Sequence, residues 1–150
     1  MADLDELYQE LILDHTKHPR NFGKLEAASH KAVGDNPLCG DRVAISLKID
    51  NGLINDICFE GKGCAISTAS ASLMTEFLKG KKLEEFYLTF DLFHNLVTGK
   101  LDGSDQLEEI GKLIAFRGVA TFPIRVKCAT LAWHTFKAAI DSQEQLVTTK

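Results

Sequence analysis

Residues 42–50 alternate apolar and polar positions, with Val43, Ile45, Leu47 and Ile49 on one face, the period-two pattern of a half-buried strand. Asn51-Gly52 follows, a strong hairpin signal, and residues 53–60 supply the return strand. Elsewhere the period is helical. Leu4, Leu7, Tyr8, Leu11 and Ile12 predict an amphipathic helix over 3–17, opened by a capping box at Asp3 and Glu6 and stopped by His18-Pro19. Residues 20–35 predict an irregular stretch with one short strand. An Ala/Ser-rich helix is predicted over 65–79, with Ile66, Ala69, Leu73, Met74 and Phe77 inward and Gly80 as its stop. Residues 83–97 and 104–116 also carry the helical period. A last helix is predicted from Pro123, favoured in a first turn, to about Ile140. The polar tail, 142–150, is expected to fray. Strands early and helices late predict an α+β fold, with a small antiparallel sheet of about three strands packed against several helices.

The 150 residues suit one domain, 1–150, large enough for a core without disulfides. Repeats, low-complexity segments and linkers are absent from the sequence. With 45% hydrophobic and 25% charged residues the chain reads as globular rather than disordered. A net charge of -4 and the lack of any basic cluster beyond Lys81-Lys82 argue against nucleic acid and anionic membrane as partners. The first residues are acidic where a targeting peptide would be basic, and no apolar run reaches spanning length, so a cytoplasmic location is expected. In that reducing setting four cysteines predict ligands, nucleophiles or packing groups rather than disulfides.

Three cysteines lie where the backbone would expose a sulfur. Cys39 sits in the turn-rich Asn36-Pro37-Leu38-Cys39-Gly40-Asp41. Cys64 follows Gly61-Lys62-Gly63 at a predicted helix N-terminus, where unpaired N–H groups favour thiolate. Cys128 falls early in the last helix, three residues after Arg125, on the same face. Gly40 lets Cys39 and Asp41 reach toward one ion. Three thiolates and one carboxylate, Cys39, Asp41, Cys64 and Cys128, form a tetrahedral donor set suited to zinc. They do not form Cys-x-x-Cys pairs, so spacing alone leaves a closed structural zinc site equally open. Cys58, between Ile57 and Phe59 in a strand, predicts a packing role. His15 and His18 end the first helix, where a cation suits the dipole. His94 and His134 are expected as surface or packing groups, His30 has no evident role, and Trp133 and the phenylalanines are expected in the core.

The segments Asn36 to Asp41, Gly61 to Ser67 and Arg125 to Leu131 resemble the three cysteine motifs of the IscU/NifU-type proteins. The stretch from Tyr8 to Gly23, with Asp14-His15 and Pro19-Arg20-Asn21, is similar to that family's N-terminus, and the resemblance extends to about Ile140. Lys127 stands where the scaffold branch usually has histidine, and residues 99–117 resemble the extra helix of the SufU branch. The resemblance implies a zinc-dependent sulfurtransferase of iron–sulfur cluster assembly, with zinc on the four donors. It also implies a SufS-type cysteine desulfurase as partner, whose histidine displaces Cys39 from the metal, and a SufB-type scaffold complex as a candidate next partner. Cys39 would accept persulfide sulfur, with Arg125 supporting Asp41 or the thiolate. The runner-up is a scaffold on which an iron–sulfur cluster is built and handed over, since the same cysteines suit iron. A structural zinc-binding module is the alternative of another class. A papain-like cysteine hydrolase is set aside, because no cysteine here carries its signature.

Overall fold

Asn51 and Gly52 adopt φ of 51° and 77°, the paired left-handed conformations that a two-residue type I′ turn requires. They join β2 (Asp41–Asp50) to β3 (Leu53–Lys62) in antiparallel register, with one irregularity at Lys48/Ile49. The computed structural model describes the backbone of residues 2–101, 109–142 and 146–148 and the side chains of 6–101 and 109–141. β1 (His30–Asn36) pairs antiparallel with β2, its last partners being Asn36 and Asp41 at the ends of a loop that carries Cys39.

Alternation sends Val43, Ile45 and Leu47 of β2 and Ile57 and Phe59 of β3 into one core. Cys58 lies half-buried on the opposite side of the strand, away from that core. Burial, and then Asp56, push its thiol above the ordinary range, with Lys79 opposing, which disfavours the thiolate.

Two helices close the core side. α2 (Ala65–Leu78) is apolar and small-residued, so it buries most of its surface, and Gly80 (φ 87°) turns the chain out of it. α4 (Pro123–Ser142) lies across β1 and β2 and beside α2. Its approach to β1 needs a glycine, because a Cβ on Gly34 would stand 1.9 Å from Thr135 Oγ1. α3 (Leu83–Val97) adds Phe86 and Phe93, which stack on the buried Trp133 of α4 with ring centroids 6.4 and 4.5 Å away. Trp133 Nε1–H donates to Ser70 Oγ on α2, so the largest core side chain also has its polar atom satisfied.

α1 (Ala2–Lys17) packs on α2. Its inner stripe is Leu11, Ile12 and His15, while Leu7 is exposed. The capping box expected at Asp3 involves a side chain outside the described residues.

Two expectations change. The helical period read over 104–116 lies partly outside the described residues. From Gly111, whose φ is 51°, the chain runs as a 3-10 helix to Thr121. Ile110, Leu113, Phe116 and Val119 are all buried, and their spacing of three matches the three residues per turn of that helix. The expectation of a fraying tail also needs correction. Leu146–Thr148 form β4, parallel to β1, so the sheet has four strands in the order β3-β2-β1-β4. The free edge of β1 accepts a backbone whatever its side chains.

Candidate metal centre

Cys39 stands in the β1–β2 loop, whose return into β2 needs the positive φ of Gly40, 71°. Asp41 is the first residue of β2 and fully buried. Cys64 is the N-cap of α2, where its sulfur accepts the N–H of Ser67 at 3.5 Å. Cys128 lies in the second turn of α4 and is 2% exposed. Three segments distant in sequence, around positions 39–41, 64 and 128, thus deliver four side chains to one end of the sheet.

The donors meet there. Ligand atoms of Cys39, Asp41 and Cys128 all lie within 4.8 Å of one another. The Cys128 thiol donates to Cys39 Sγ at 3.3 Å. Cys64 joins through Asp41, with its N–H on Oδ1 at 2.8 Å and its thiol 3.8 Å from Oδ2. Gly63 makes this possible, since a Cβ there would be 2.5 Å from Asp41 Oδ1.

The charge balance of this cluster favours a cation. Among the described residues no lysine, arginine or histidine makes an ion pair with the buried Asp41, and a buried carboxylate is ordinarily paired or bound to metal. Burial first, then the hydrogen bonds with Cys39, Asp41 and Cys64, push the Cys128 thiol far above the ordinary thiol range. A positive ion among these groups would reverse that balance. Three sulfurs and one oxygen are donors that zinc accepts, so the residues present fit such an ion.

Residues 7–148 match the NifU-like N terminal domain model. The chain belongs to that family. This NifU-like domain is 41% identical over 143 residues to the zinc-dependent sulfurtransferase SufU of Bacillus subtilis, covering 95% of each chain. It is 40% identical over 140 residues to the iron–sulfur cluster assembly scaffold protein IscU of Streptococcus pyogenes, covering 93% of this chain and 86% of that one. Among solved structures, a candidate iron–sulfur cluster assembly scaffold for the SUF system of Fervidobacterium islandicum superposes with a TM-score of 0.81. That pair is 37% identical, with 88% of this chain and 95% of the other covered. The α+β fold is the one these NifU-like relatives share.

Arg125 takes a different place from the one expected of it. Its side chain is exposed and its guanidinium lies 4.8 Å from the centroid of the Phe122 ring, and no contact joins it to Asp41 or a cysteine among the described residues. A spacing of three on a helix puts Arg125 and Cys128 on one face, but Phe122, three residues earlier still, competes for the guanidinium.

Asn36 carries no obvious chemistry in the sequence and yet belongs to the site. It is fully buried, its Nδ2–H faces Cys128 Sγ at 3.9 Å, and its Oδ1 accepts the Leu38 N–H at 3.3 Å. Only its position, three residues before Cys39 and just before a proline, hints at a turn-forming amide.

Proposed function

We propose that this NifU-like domain is a zinc-dependent sulfur carrier in iron–sulfur cluster assembly, taking persulfide sulfur from a SufS-type cysteine desulfurase at Cys39. The observation that carries this reading is a cluster of two sulfurs, Cys39 and Cys128, with the buried carboxylate of Asp41, through which Cys64 joins. In it Cys39 stands half-buried on a loop. The 41% identity to a protein named a zinc-dependent sulfurtransferase supports it.

Cys39, Asp41, Cys64 and Cys128 would hold the ion. Zinc there would keep the thiols ionised near neutral pH and tie the β1–β2 loop, α2 and α4 together. The Cys39 thiolate attacks the outer sulfur of the partner's persulfide. A bond forms between Cys39 Sγ and that sulfur, the partner's own sulfur–sulfur bond breaks, and the partner cysteine leaves as thiolate. Cys39 then carries the persulfide, with no net oxidation or reduction. A thiolate suits this exchange, because the attacked sulfur is soft and a low-pKa thiol leaves readily. Cys64 and Cys128 hold their places in the helices, and buried Asp41 anchors the start of α2 by accepting the Cys64 N–H. A SufB-type scaffold is the proposed next acceptor, and the cytoplasm the proposed location. No helix among the described residues is long and apolar enough to cross a membrane.

The scaffold reading is favoured by one observation, the 40% identity to a protein named an IscU scaffold. Anaerobic purification with elemental analysis and absorption spectra separates the two. About one zinc per chain and a colourless solution support the carrier, while iron and sulfide with visible absorption support the scaffold. Incubation with a cysteine desulfurase and cysteine then tests the role of Cys39. Wild type should acquire one sulfur, and Cys39→Ser should acquire none. Normal sulfur uptake by Cys39→Ser overturns the assignment, and no uptake by wild type leaves a structural zinc module.

A further inference from the structure

Cys39 and Cys128 place their sulfurs 3.3 Å apart, so an electrophile that reaches one is within a small movement of the other. Something must decide which of the two reacts. The surroundings of the three sulfurs differ in one respect. Cys64 Sγ accepts the Ser67 N–H at 3.5 Å, and Cys128 Sγ faces the Asn36 Nδ2–H at 3.9 Å. Among the described residues no N–H is aimed at Cys39 Sγ. An N–H donor directed at a thiolate stabilises its negative charge and lowers its nucleophilicity, so Cys64 and Cys128 are restrained in this way, while Cys39 accepts only from the Cys128 thiol.

Asn36 acts on both members of the close pair. Its amide nitrogen faces Cys128, while its Oδ1 accepts from Leu38 N–H and its backbone carbonyl accepts from Cys39 N–H at 3.2 Å. The same side chain therefore restrains the buried sulfur and folds the loop that presents the half-buried one. A side chain needed only for the turn could be aspartate or serine, which accept the same N–H. The buried NH2 group has its use on the side of Cys128.

We propose that Asn36 is the positioning residue that assigns the acceptor role to Cys39, holding Cys128 as a spectator sulfur. This rests on the sulfur-carrier reading, but its test does not require that reading to hold. Asn36→Asp keeps the acceptor for Leu38 N–H and removes the donor to Cys128. Asn36→Ser, smaller and uncharged, does the same if the aspartate does not fold, with circular dichroism as the check on folding.

The metal-loaded wild type and variant are treated with a limiting amount of iodoacetamide, and the carbamidomethyl groups are assigned by peptide mass spectrometry. A second set is treated with desulfurase and cysteine, and the persulfide is mapped in the same way. Wild type should be modified at Cys39 over Cys128 by at least about ten to one. In the variant that ratio should fall by about ten-fold, in alkylation and in persulfide alike, with total modification retained. A folded variant that keeps the wild-type ratio overturns the proposal. So does a variant that loses reactivity at Cys39 with no gain at Cys128, since that is the result of a damaged turn alone. If wild type takes up no sulfur, the carrier reading fails while the alkylation ratio still decides the role of Asn36.

Discussion

Asp41 Oδ1 accepts the backbone N–H of Cys64 at 2.8 Å, across two elements 23 residues apart in sequence. One carboxylate therefore caps the start of α2 and lies among the sulfurs, and the spacing between strand β2 and helix α2 sets where it can point. Gly63 fixes that spacing. Gly63→Ala would set a methyl group 2.5 Å from Oδ1 and 2.9 Å from Cγ of a side chain that is fully buried. The carboxylate must move, so metal affinity is expected to fall about 10- to 100-fold, the usual range when a ligand's support is lost, with the helical signal retained. Competition against a chelator of known affinity measures this, and wild-type affinity in Gly63→Ala would show that Asp41 need not stay where it lies.

If a metal ties the β1–β2 loop to α2 and α4, its removal takes away a link between three parts of the fold. A ligand present at a thousand times its dissociation constant stabilises the native state by about 4 kcal/mol. For a chain of this size that corresponds to a loss of about 10 °C in melting temperature on adding chelator. Cys64→Ser and Cys128→Ser should start from the chelated value and respond little. A melting temperature unchanged by chelator in wild type would mean that the cluster holds no stabilising ion.

The hairpin and its turn, the limits of α2 and α3, and the convergence of the cysteine segments were legible because each depends on local pattern or on a motif carried whole. The helical period read over 104–116 does not say which helix forms, although the buried positions at 110, 113, 116 and 119 repeat every three residues. A short run of threes satisfies either helix until the position of Gly111 is seen. β4 was missed because pairing at a sheet edge uses the backbone and leaves little trace in side chains. Arg125 and Asn36 show the same limit within the site. Helical spacing placed the arginine on the right face, yet whether it turned to a carboxylate or an aromatic ring depended on neighbours that only the fold supplies. Asn36 reads as one more turn residue until α4 brings Cys128 against it.

Gly34 tests how tightly α4 lies on the sheet. Gly34→Ala would drive its Cβ to 1.9 Å from Thr135 Oγ1 and 3.1 Å from Leu131 Cδ1, an overpacking expected to cost about 1–3 kcal/mol. Because the strand and helix concerned also carry Asn36 and Cys128, sulfur uptake should drop with stability. Thr135→Ala removes the nearest atom and should recover part of the loss in the double variant. Urea unfolding of the four proteins gives the coupling between the two sites, and strictly additive costs would mean that the helix shifts freely instead.

His15 corrects an expectation and leads to a pH dependence. Its place near the end of α1 suggests a cation, but the ring is fully buried. Ser72 Oγ, which accepts the Arg20 N–H at 2.8 Å, lies 2.7 Å from His15 Nδ1 and can donate its own proton there. The neutral ring with its proton on Nε2 satisfies that geometry, and among the described residues Nε2 has no hydrogen-bond partner, with Glu76 Oε1 3.9 Å away. Burial, and after it Arg20, hold the pKa of His15 below its ordinary 6.5, with Glu76 and Asp14 opposing and Lys112 assisting. As pH falls, the unfolded chain takes up this proton before the folded one does. The stability conferred by neutral His15 is therefore complete above about pH 6.5 and declines as pH drops below it toward the folded value, by at most about 1.4 kcal/mol per pH unit. His134, lowered by burial and then by His94 and Lys137, acts in the same direction. His15→Gln should be less stable than wild type at pH 7.5 and lose less on going to pH 5.5. Urea unfolding at both values, with chelator present so that metal release does not contribute, measures the difference, and the slope left in the variant belongs to His134 and the carboxylates. An equal decline in both proteins would assign the acid sensitivity elsewhere than the contact between α1 and α2.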